Sequence, residues 1–289
     1  MSAKAMADLK RRLTVSLIVG TAVTALIAFS SYPWVSLILM GVVAGLAAIG
    51  VWEYAQLAVE KEIKPRARLM AVFAILEVAA FYASLVFVDF PQLPVLVLAS
   101  AAIVFFLLHF NQTDNALPNI AVQFFGVCYV AVPLSFLLGV LYPFPHHGAL
   151  QEGKWWLAYL IVVTKITDVG AYFVGRLWGK RRLAPSLSPK KTREGAIAGL
   201  FCAVALSVLI QCLGTRYAQG TFHLTLVESI WLGCLMGIFG QIGDLAESLL
   251  KRDAVVKDSN TLPGLGGVLD MLDSLLLTTP VLYFFLCMH

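Results

Sequence analysis

Long stretches of apolar residues, separated by short polar segments, follow one another along the whole chain. A transmembrane helix takes roughly 20 mostly apolar residues. Nine stretches come close to that length, at about 13–30, 35–58, 69–88, 93–110, 118–142, 155–175, 195–213, 228–247 and 268–287. The pattern predicts an all-α, polytopic integral membrane protein with about nine transmembrane helices.

Composition agrees with a membrane protein. Of the 289 residues, 60% are hydrophobic and only 13% are charged, whereas a soluble domain is about half apolar and about a quarter charged. The mean hydropathy is +0.84. The five cysteines lie in apolar runs without a C-x-x-C spacing, so neither a disulfide framework nor a zinc site is indicated.

The basic residues indicate which way the chain crosses the membrane. The Lys10-Arg11-Arg12 cluster precedes an apolar run that is long for a signal peptide, so we expect a retained first helix. With a cytosolic N-terminus, the segments predicted to lie outside carry only Lys154 and Arg216, and the inside segments carry all the other Lys and Arg residues except Lys165, which lies within a span. Cytoplasmic loops of membrane proteins typically carry an excess of Lys and Arg. This asymmetry predicts a cytosolic N-terminus.

The chain divides into two predicted parts. Residues 1–160 form the N-terminal transmembrane helices, spans one to five. Residues 161–289 form a catalytic transmembrane part with two basic cytosolic loops, at 176–194 and 251–267.

Acidic residues are concentrated in the last two spans. Four polar residues at i, i+3, i+4 and i+7 share one helix face, and Asp270 and Asp273 share another. The four are Asp244, Glu247, Ser248 and Lys251. Any single acid is equally well explained as a solvated boundary residue. An ionised side chain within a membrane helix costs roughly 2.5–3.5 kcal/mol, so the set requires a cation or a partner. If the two helices pack together, their acids form a candidate site for a divalent cation and a phosphorylated ligand.

The basic loop at 176–194 is a second candidate region. Before it, Lys165 and Asp168 are spaced i, i+3 and are expected to pair. The loop ends in Ser188-Pro189-Lys190-Lys191-Thr192, directly before a predicted helix start. Hydroxyls, lysines and free amides at a helix N-terminus suit phosphate, although positive-inside bias alone also explains the loop. No P-loop motif is present. The residues favour phosphoryl or nucleotidyl transfer to a lipid with a charged head.

Four motifs resemble those of the phosphatidate cytidylyltransferases (CDP-diacylglycerol synthases). They are S-x-x-K-R-x4-K-D at 248–258, P-G-L-G-G-x-x-D-M-x-D at 263–273, D-x-G-A-Y-x-x-G-R at 168–176 and S-P-x-K-T-x-E-G at 188–195. The resemblance covers about 165–280. Three residues depart from the family pattern: Leu265 replaces a His, Met271 an Arg and Arg193 a Trp. The segment from Asp258 to Pro263 is one residue short.

The resemblance implies that CTP and phosphatidic acid react to give CDP-diacylglycerol and pyrophosphate, with Mg²⁺ as cofactor and the number of cations, one or two, left open. It implies Asp244, Asp270 and Asp273 as metal ligands and, with Lys251, as catalytic residues. The implied substrate-binding residues are Asp168, Ser188, Lys190, Lys191, Thr192, Glu194, Ser248, Arg252, Lys257 and Asp258. We expect a bacterial inner membrane, a site facing the cytosol and no nucleic-acid partner, and we leave a homodimer open.

Three kinds of alternative stay open: a related lipid enzyme, an inactive relative and a transporter. A CTP-dependent polyprenol kinase or an ether-lipid cytidylyltransferase would use similar chemistry. Leu265 and Met271 are also compatible with an inactive relative. An ion-coupled transporter belongs to another functional class, and such a protein typically has acids near the middle of the membrane and paired repeats.

Glu53 and Glu77, in the second and third spans, are expected to be inter-helix polar contacts.

Overall fold

The computed structural model describes residues 20–111, 114–142, 153–217, 222–256 and 267–288. Within them, helical residues 20–28 precede eight helices and a two-stranded hairpin. The helices are α1 (Pro33–Val59), α2 (Ala67–Val86), α3 (Leu93–Leu107), α4 (Ala116–Leu141), α5 (Gly153–Trp178), α6 (Arg193–Tyr217), α7 (Leu226–Asp253) and α8 (Val268–Met288). The strands β1 (Arg182–Ala184) and β2 (Ser188–Thr192) lie between α5 and α6.

The helices follow the predicted apolar stretches closely. Seven of the helices in the described ranges are long and apolar enough to cross a membrane, and α3 is a shorter apolar helix of 15 residues. The first predicted span lies partly outside the described residues. A helical protein with several membrane-length apolar helices is therefore confirmed, and the count of nine spans stays a prediction.

The connection between α5 and α6 differs from the all-α prediction. Part of the basic loop forms an antiparallel hairpin in which Arg182 pairs with Thr192 and Ala184 pairs with Ser188. The loop is also shorter than expected because α5 continues to Trp178. In the same way α7 continues to Asp253, so Lys251 and Arg252 are helical residues and not loop residues. Hydropathy marks where a chain becomes polar, whereas a helix ends where its backbone hydrogen bonds end.

Small residues allow the helices of the second half to approach closely. Gly199 of α6 packs against α5, where a Cβ atom on it would lie only 2.6 Å from the Thr167 carbonyl oxygen. Gly243 of α7 packs against α8, where a Cβ atom would collide with the Asp273 carbonyl oxygen. Close backbone approach at small residues is typical of membrane helix pairs. It brings the polar residues that neighbour these glycines together.

Helix α8 also packs against the first half of the chain. Tyr283 stacks on Phe136 of α4 with a ring-centroid distance of 4.4 Å. At the other end of α8, its first amides bind Glu53 of α1. Lys61, just after α1, pairs with Asp253 at the end of α7 at 3.0 Å. The C-terminal ends of α1 and α7 and the N-terminal end of α8 therefore lie at one end of the bundle.

Candidate active site

Asp244 and Asp273 lie near each other at the contact between α7 and α8. Gly243 has no side chain to separate the two backbones, and a Cβ atom placed there would lie 3.2 Å from the Ser274 Cα atom. The next residue, Asp244, therefore lies within electrostatic range of Asp273. The predicted convergence of acids from the last two spans is observed at this contact.

A lysine joins one further acid of α7 to one further acid of α8. Lys251 Nζ lies 2.7 Å from Glu247 Oε1, one turn earlier in α7, and also pairs with Asp270 of α8. The Lys251 and Glu247 side chains are only 11% and 4% exposed. A buried charge is costly without a partner, so moving the first turn of α8 away from the last turns of α7 would leave these charges unpaired. The ion pairs therefore hold the two helix ends together.

The hairpin contacts the same face of α7. Lys191 of β2 lies 2.6 Å from Asp244 Oδ2, and Arg252 Nε donates to the Leu187 carbonyl oxygen at 3.1 Å. Lys190 is exposed, as expected for the neighbouring position in a strand, whose side chains alternate between faces. Of the two adjacent lysines, the structure brings only Lys191 to Asp244.

Helix α5 contributes a lysine and an acid to the same site. Lys165 Nζ lies 3.8 Å from Asp168 Oδ2, so the predicted i, i+3 pairing is observed. The Ser274 hydroxyl of α8 donates to the same Asp168 oxygen at 3.5 Å. Asp168 is also within electrostatic range of Asp244 and Lys191. Residues from three helices and the hairpin thus form one group, which we call the acid–lysine cluster: Asp168, Asp244, Glu247, Asp270, Asp273, Lys165, Lys191 and Lys251.

Glu53 holds the helix that carries two of these acids. Its side chain is 1% exposed. Its Oε1 accepts from the Val268 amide at 3.0 Å and its Oε2 from the Leu269 amide at 2.8 Å. A carboxylate at a helix N-terminus satisfies free amides and interacts favourably with the helix dipole. The expected inter-helix role of Glu53 is confirmed, and its partner is α8.

Glu77 is buried to the same extent as Glu53 but is placed differently. It is also 1% exposed, and its Oε2 has no hydrogen-bond partner among the residues that the structure covers. The polar contact expected of Glu77 is not observed for that atom.

Two predicted substrate-binding residues hold the start of α6. The Thr192 hydroxyl is buried and accepts from the Gly195 amide at 3.2 Å. Glu194 accepts from the amides of Lys180 and Arg181 at 3.1–3.2 Å. These contacts fix the hairpin on α6, so both residues shape the surroundings of the cluster in this structure.

The other predicted residues are partly described. Ser188 and Ser248 are half-buried, on β2 and on α7 respectively. The structure does not describe Lys257, Asp258 or the first four residues of the 263–273 motif. The role of Lys257 and Asp258 in substrate binding stays a prediction.

The cluster has an excess of negative charge. Five carboxylates face three lysines. Within the described residues, no group of three or more Asp, Glu, His or Cys side chains is arranged to hold a metal ion. The carboxylate oxygens are nevertheless the donors that Mg²⁺ prefers. The donor chemistry and the negative charge of the cluster are those of a magnesium site, but the side chains of the described residues are not arranged as a complete set of ligands.

The sequence gives no catalytic or substrate-binding role to three residues of this site. The i, i+3, i+4, i+7 spacing places Glu247 on the polar face of α7 with Lys251 but does not identify Asp270 as a second partner of that lysine. The i, i+3 spacing predicts the pairing of Lys165 with Asp168 but not its contacts with α8. Ser274 directly follows Asp273 and carries no pattern that would have identified it.

Comparison with known proteins gives a match along almost the whole chain. A family model described as the cytidylyltransferase family matches residues 10–289. A protein of Chlamydia pneumoniae named phosphatidate cytidylyltransferase is 35% identical over 288 residues, which cover 98% of this chain and 93% of that protein. Proteins of the same name from Chlamydia trachomatis and Bacillus subtilis are 41% and 44% identical. Those matches cover 55% and 48% of this chain, and 52% and 49% of the relatives.

Proposed function

This chain belongs to the cytidylyltransferase family, and we propose that it transfers the cytidylyl group of CTP to phosphatidate, forming CDP-diacylglycerol and pyrophosphate. The observation that carries this proposal is the match to the Chlamydia pneumoniae protein along nearly all of both chains. The acid–lysine cluster supports it independently, because it joins phosphate-binding cations to cation-binding acids between apolar helices.

The reaction needs positioning and neutralisation of charge. A phosphatidate oxygen attacks the α-phosphorus of CTP, a new P–O bond forms, and the bond to the β-phosphate oxygen breaks to release pyrophosphate. No covalent enzyme nucleophile is needed, because the lipid phosphate is itself a competent nucleophile. Lys191 and Lys251, which neutralise carboxylates in this structure, are suited to neutralise phosphate oxygens during the reaction.

We assign Asp244, Asp270 and Asp273 as the ligands of a magnesium ion. The assignment follows from the charge excess of the cluster and from the closeness of α7 and α8 at Gly243. When bound, such an ion supplies a Lewis acid for phosphate oxygens. Asp168 balances Lys165 beside these ligands.

The cluster is proposed to face the cytosol of a bacterial cell, from its inner membrane. It lies at the end of the bundle where α1 and α7 end, close to Lys61. Basic residues are concentrated in the segments that follow α1, α5 and α7, and such loops are typical of the cytoplasmic side. This orientation gives CTP access from the cytosol and lipid access from the inner leaflet.

The test uses purified full-length protein, labelled CTP, Mg²⁺ and phosphatidate. We expect CDP-diacylglycerol to form, chelation by EDTA to stop its formation, and added Mg²⁺ to restore it. Asp273→Asn should remove activity without loss of folded protein. Asp253→Asn, which changes an acid of α7 that is 66% exposed and pairs with Lys61, should retain activity. Full activity in Asp273→Asn would contradict the site.

Parallel reactions separate the related functions. An ether-linked phosphatidate and a polyprenol replace phosphatidate as acceptors under the same conditions. Faster product formation with either acceptor would reassign the substrate while retaining the cytidine nucleotide.

A further inference from the structure

Lys165 is the lysine of the acid–lysine cluster that carboxylates hold least closely. Lys191 lies 2.6 Å from a carboxylate oxygen, and Lys251 is in contact with two carboxylates. Lys165 lies 3.8 Å from Asp168, too far for a hydrogen bond, and its side chain is 41% exposed. Its positive charge is therefore less neutralised than those of the other two lysines.

The ammonium group of Lys165 lies against the turn of α8 that carries the acids. Its Nζ donates to the Met271 carbonyl oxygen at 3.2 Å and to the Ser274 hydroxyl at 3.0 Å. These residues directly follow Asp270 and Asp273. A lysine has three N–H donors, and two are used here on neutral acceptors. One N–H donor remains for an anionic ligand, and among the described residues no carboxylate oxygen lies closer to the Lys165 ammonium group than that of Asp168, at 3.8 Å.

The chain lacks a cation of its own at this turn of α8. Residues 268–288, which form α8, include no Lys or Arg, and the Met271 side chain supplies neither an N–H donor nor a charge. Lys165 reaches the backbone of that same residue from α5, so a positive charge is present at the turn, provided by a different helix.

We propose that Lys165 is a substrate-binding residue that contacts a phosphate group of the lipid or of the nucleotide, and that it supplies the positive charge that α8 itself lacks at this turn. This inference deepens the proposed function and rests on it. The ligand chemistry is a phosphate ester in both cases. Kinetics with each substrate varied in turn distinguish the two sources, because KM rises for the substrate whose phosphate Lys165 contacts.

The first variant is Lys165→Met, which removes the charge and keeps an unbranched apolar side chain. Loss of a hydrogen bond to a charged phosphate should lower kcat/KM by about 10- to 100-fold. The matched control is Lys61→Met. Lys61 has a similarly exposed side chain, 43%, and pairs with Asp253 outside the cluster. It should stay within about twofold of wild type, as expected for an exposed ion pair.

The second variant separates binding from a structural role. Met271→Arg is introduced into Lys165→Met and, separately, into the wild type. If Lys165 supplies charge at this turn, kcat/KM of the double variant should be at least about fivefold higher than that of Lys165→Met. Met271→Arg alone should raise kcat/KM of the wild type by less. A structural lysine that only joins α5 to α8 would not be replaced by an arginine on α8.

The outcomes decide the inference. Rescue by Met271→Arg supports it, whether or not Lys165→Met alone unfolds more easily. Activity of Lys165→Met within twofold of wild type would overturn it, and so would a loss that Met271→Arg does not reverse, because a lysine that only joins α5 to α8 would give that result. A wild-type protein that forms no CDP-lipid would instead overturn the proposed function, and the inference with it.

Discussion

The carboxylate of Glu53 gives a sharp test of how the first half of the chain supports the second. It accepts two amide hydrogen bonds from α8, at 3.0 and 2.8 Å, from a site that is 1% exposed. Glu53→Gln keeps the shape of the side chain. It leaves one carbonyl oxygen for one amide and places an NH₂ group against the other.

The expected cost can be worked from these contacts. Loss of one hydrogen bond to a charged group costs about 1.5–3 kcal/mol. The lost interaction between the carboxylate and the helix dipole adds about 0.3–1 kcal/mol. At about 2–4 °C per kcal/mol for a protein of this size class, the midpoint of thermal unfolding should fall by roughly 5–15 °C. Activity well below that midpoint should fall by about tenfold, because small displacements of catalytic groups are costly.

Glu77→Gln is the matched control. Glu77 is also 1% exposed in a neighbouring helix, but its Oε2 has no hydrogen-bond partner in the described part of the chain. The Glu77→Gln change removes no such bond at that atom, so the unfolding midpoint should stay within about 3 °C or rise. Both variants are compared with the wild type by thermal unfolding in one detergent and by CDP-lipid formation. Equal stability and activity of the two variants would refute the capping role of Glu53.

Two further predictions follow from close contacts in the cluster. Gly243→Val should force α7 and α8 apart, lower the free energy of unfolding by about 1–3 kcal/mol and remove most activity. Gly41→Val, with nothing within 4 Å of its Cβ position, should change neither stability nor activity. Thermal unfolding and product formation measure both effects, and an active, stable Gly243→Val would contradict the packing. Lys191→Met should lower kcat/KM by about 10- to 100-fold, and by more than Lys190→Met does, since only Lys191 reaches Asp244; equal losses would show that the strand face does not select between them.

The sequence predicted the positions of most helices because their apolar runs are long and contiguous. It also predicted that acids of the last two spans meet, because i, i+3 spacing fixes which side chains share a face. It misplaced the ends of α5 and α7, since polar residues such as Arg176 and Lys251 continue these helices beyond the apolar runs. Helix continuation depends on backbone hydrogen bonds that hydropathy does not report.

Contacts between distant parts of the chain were not predictable in the same way. Glu53 lies 215 residues before the amide that it binds, and only the packing of α1 beside α8 joins them. The hairpin was missed because Ser188–Thr192 contains no apolar alternation, and its register depends on Arg182 and Ala184 across the turn. The contact of Lys165 with α8 likewise depends on the packing of α5, which no local spacing encodes.

The ion pair between Lys191 and Asp244 has a thermodynamic consequence for ligand order. In the free protein each of these groups neutralises the other. A cation that takes Asp244 releases Lys191 for a phosphate, and a phosphate that takes Lys191 releases Asp244 for a cation. Because such linkage is reciprocal, if Asp244 holds the proposed magnesium ion and Lys191 contacts a phosphate of CTP, the two ligands should favour each other's binding by the same factor. This one salt bridge would then make their binding cooperative without a change of fold.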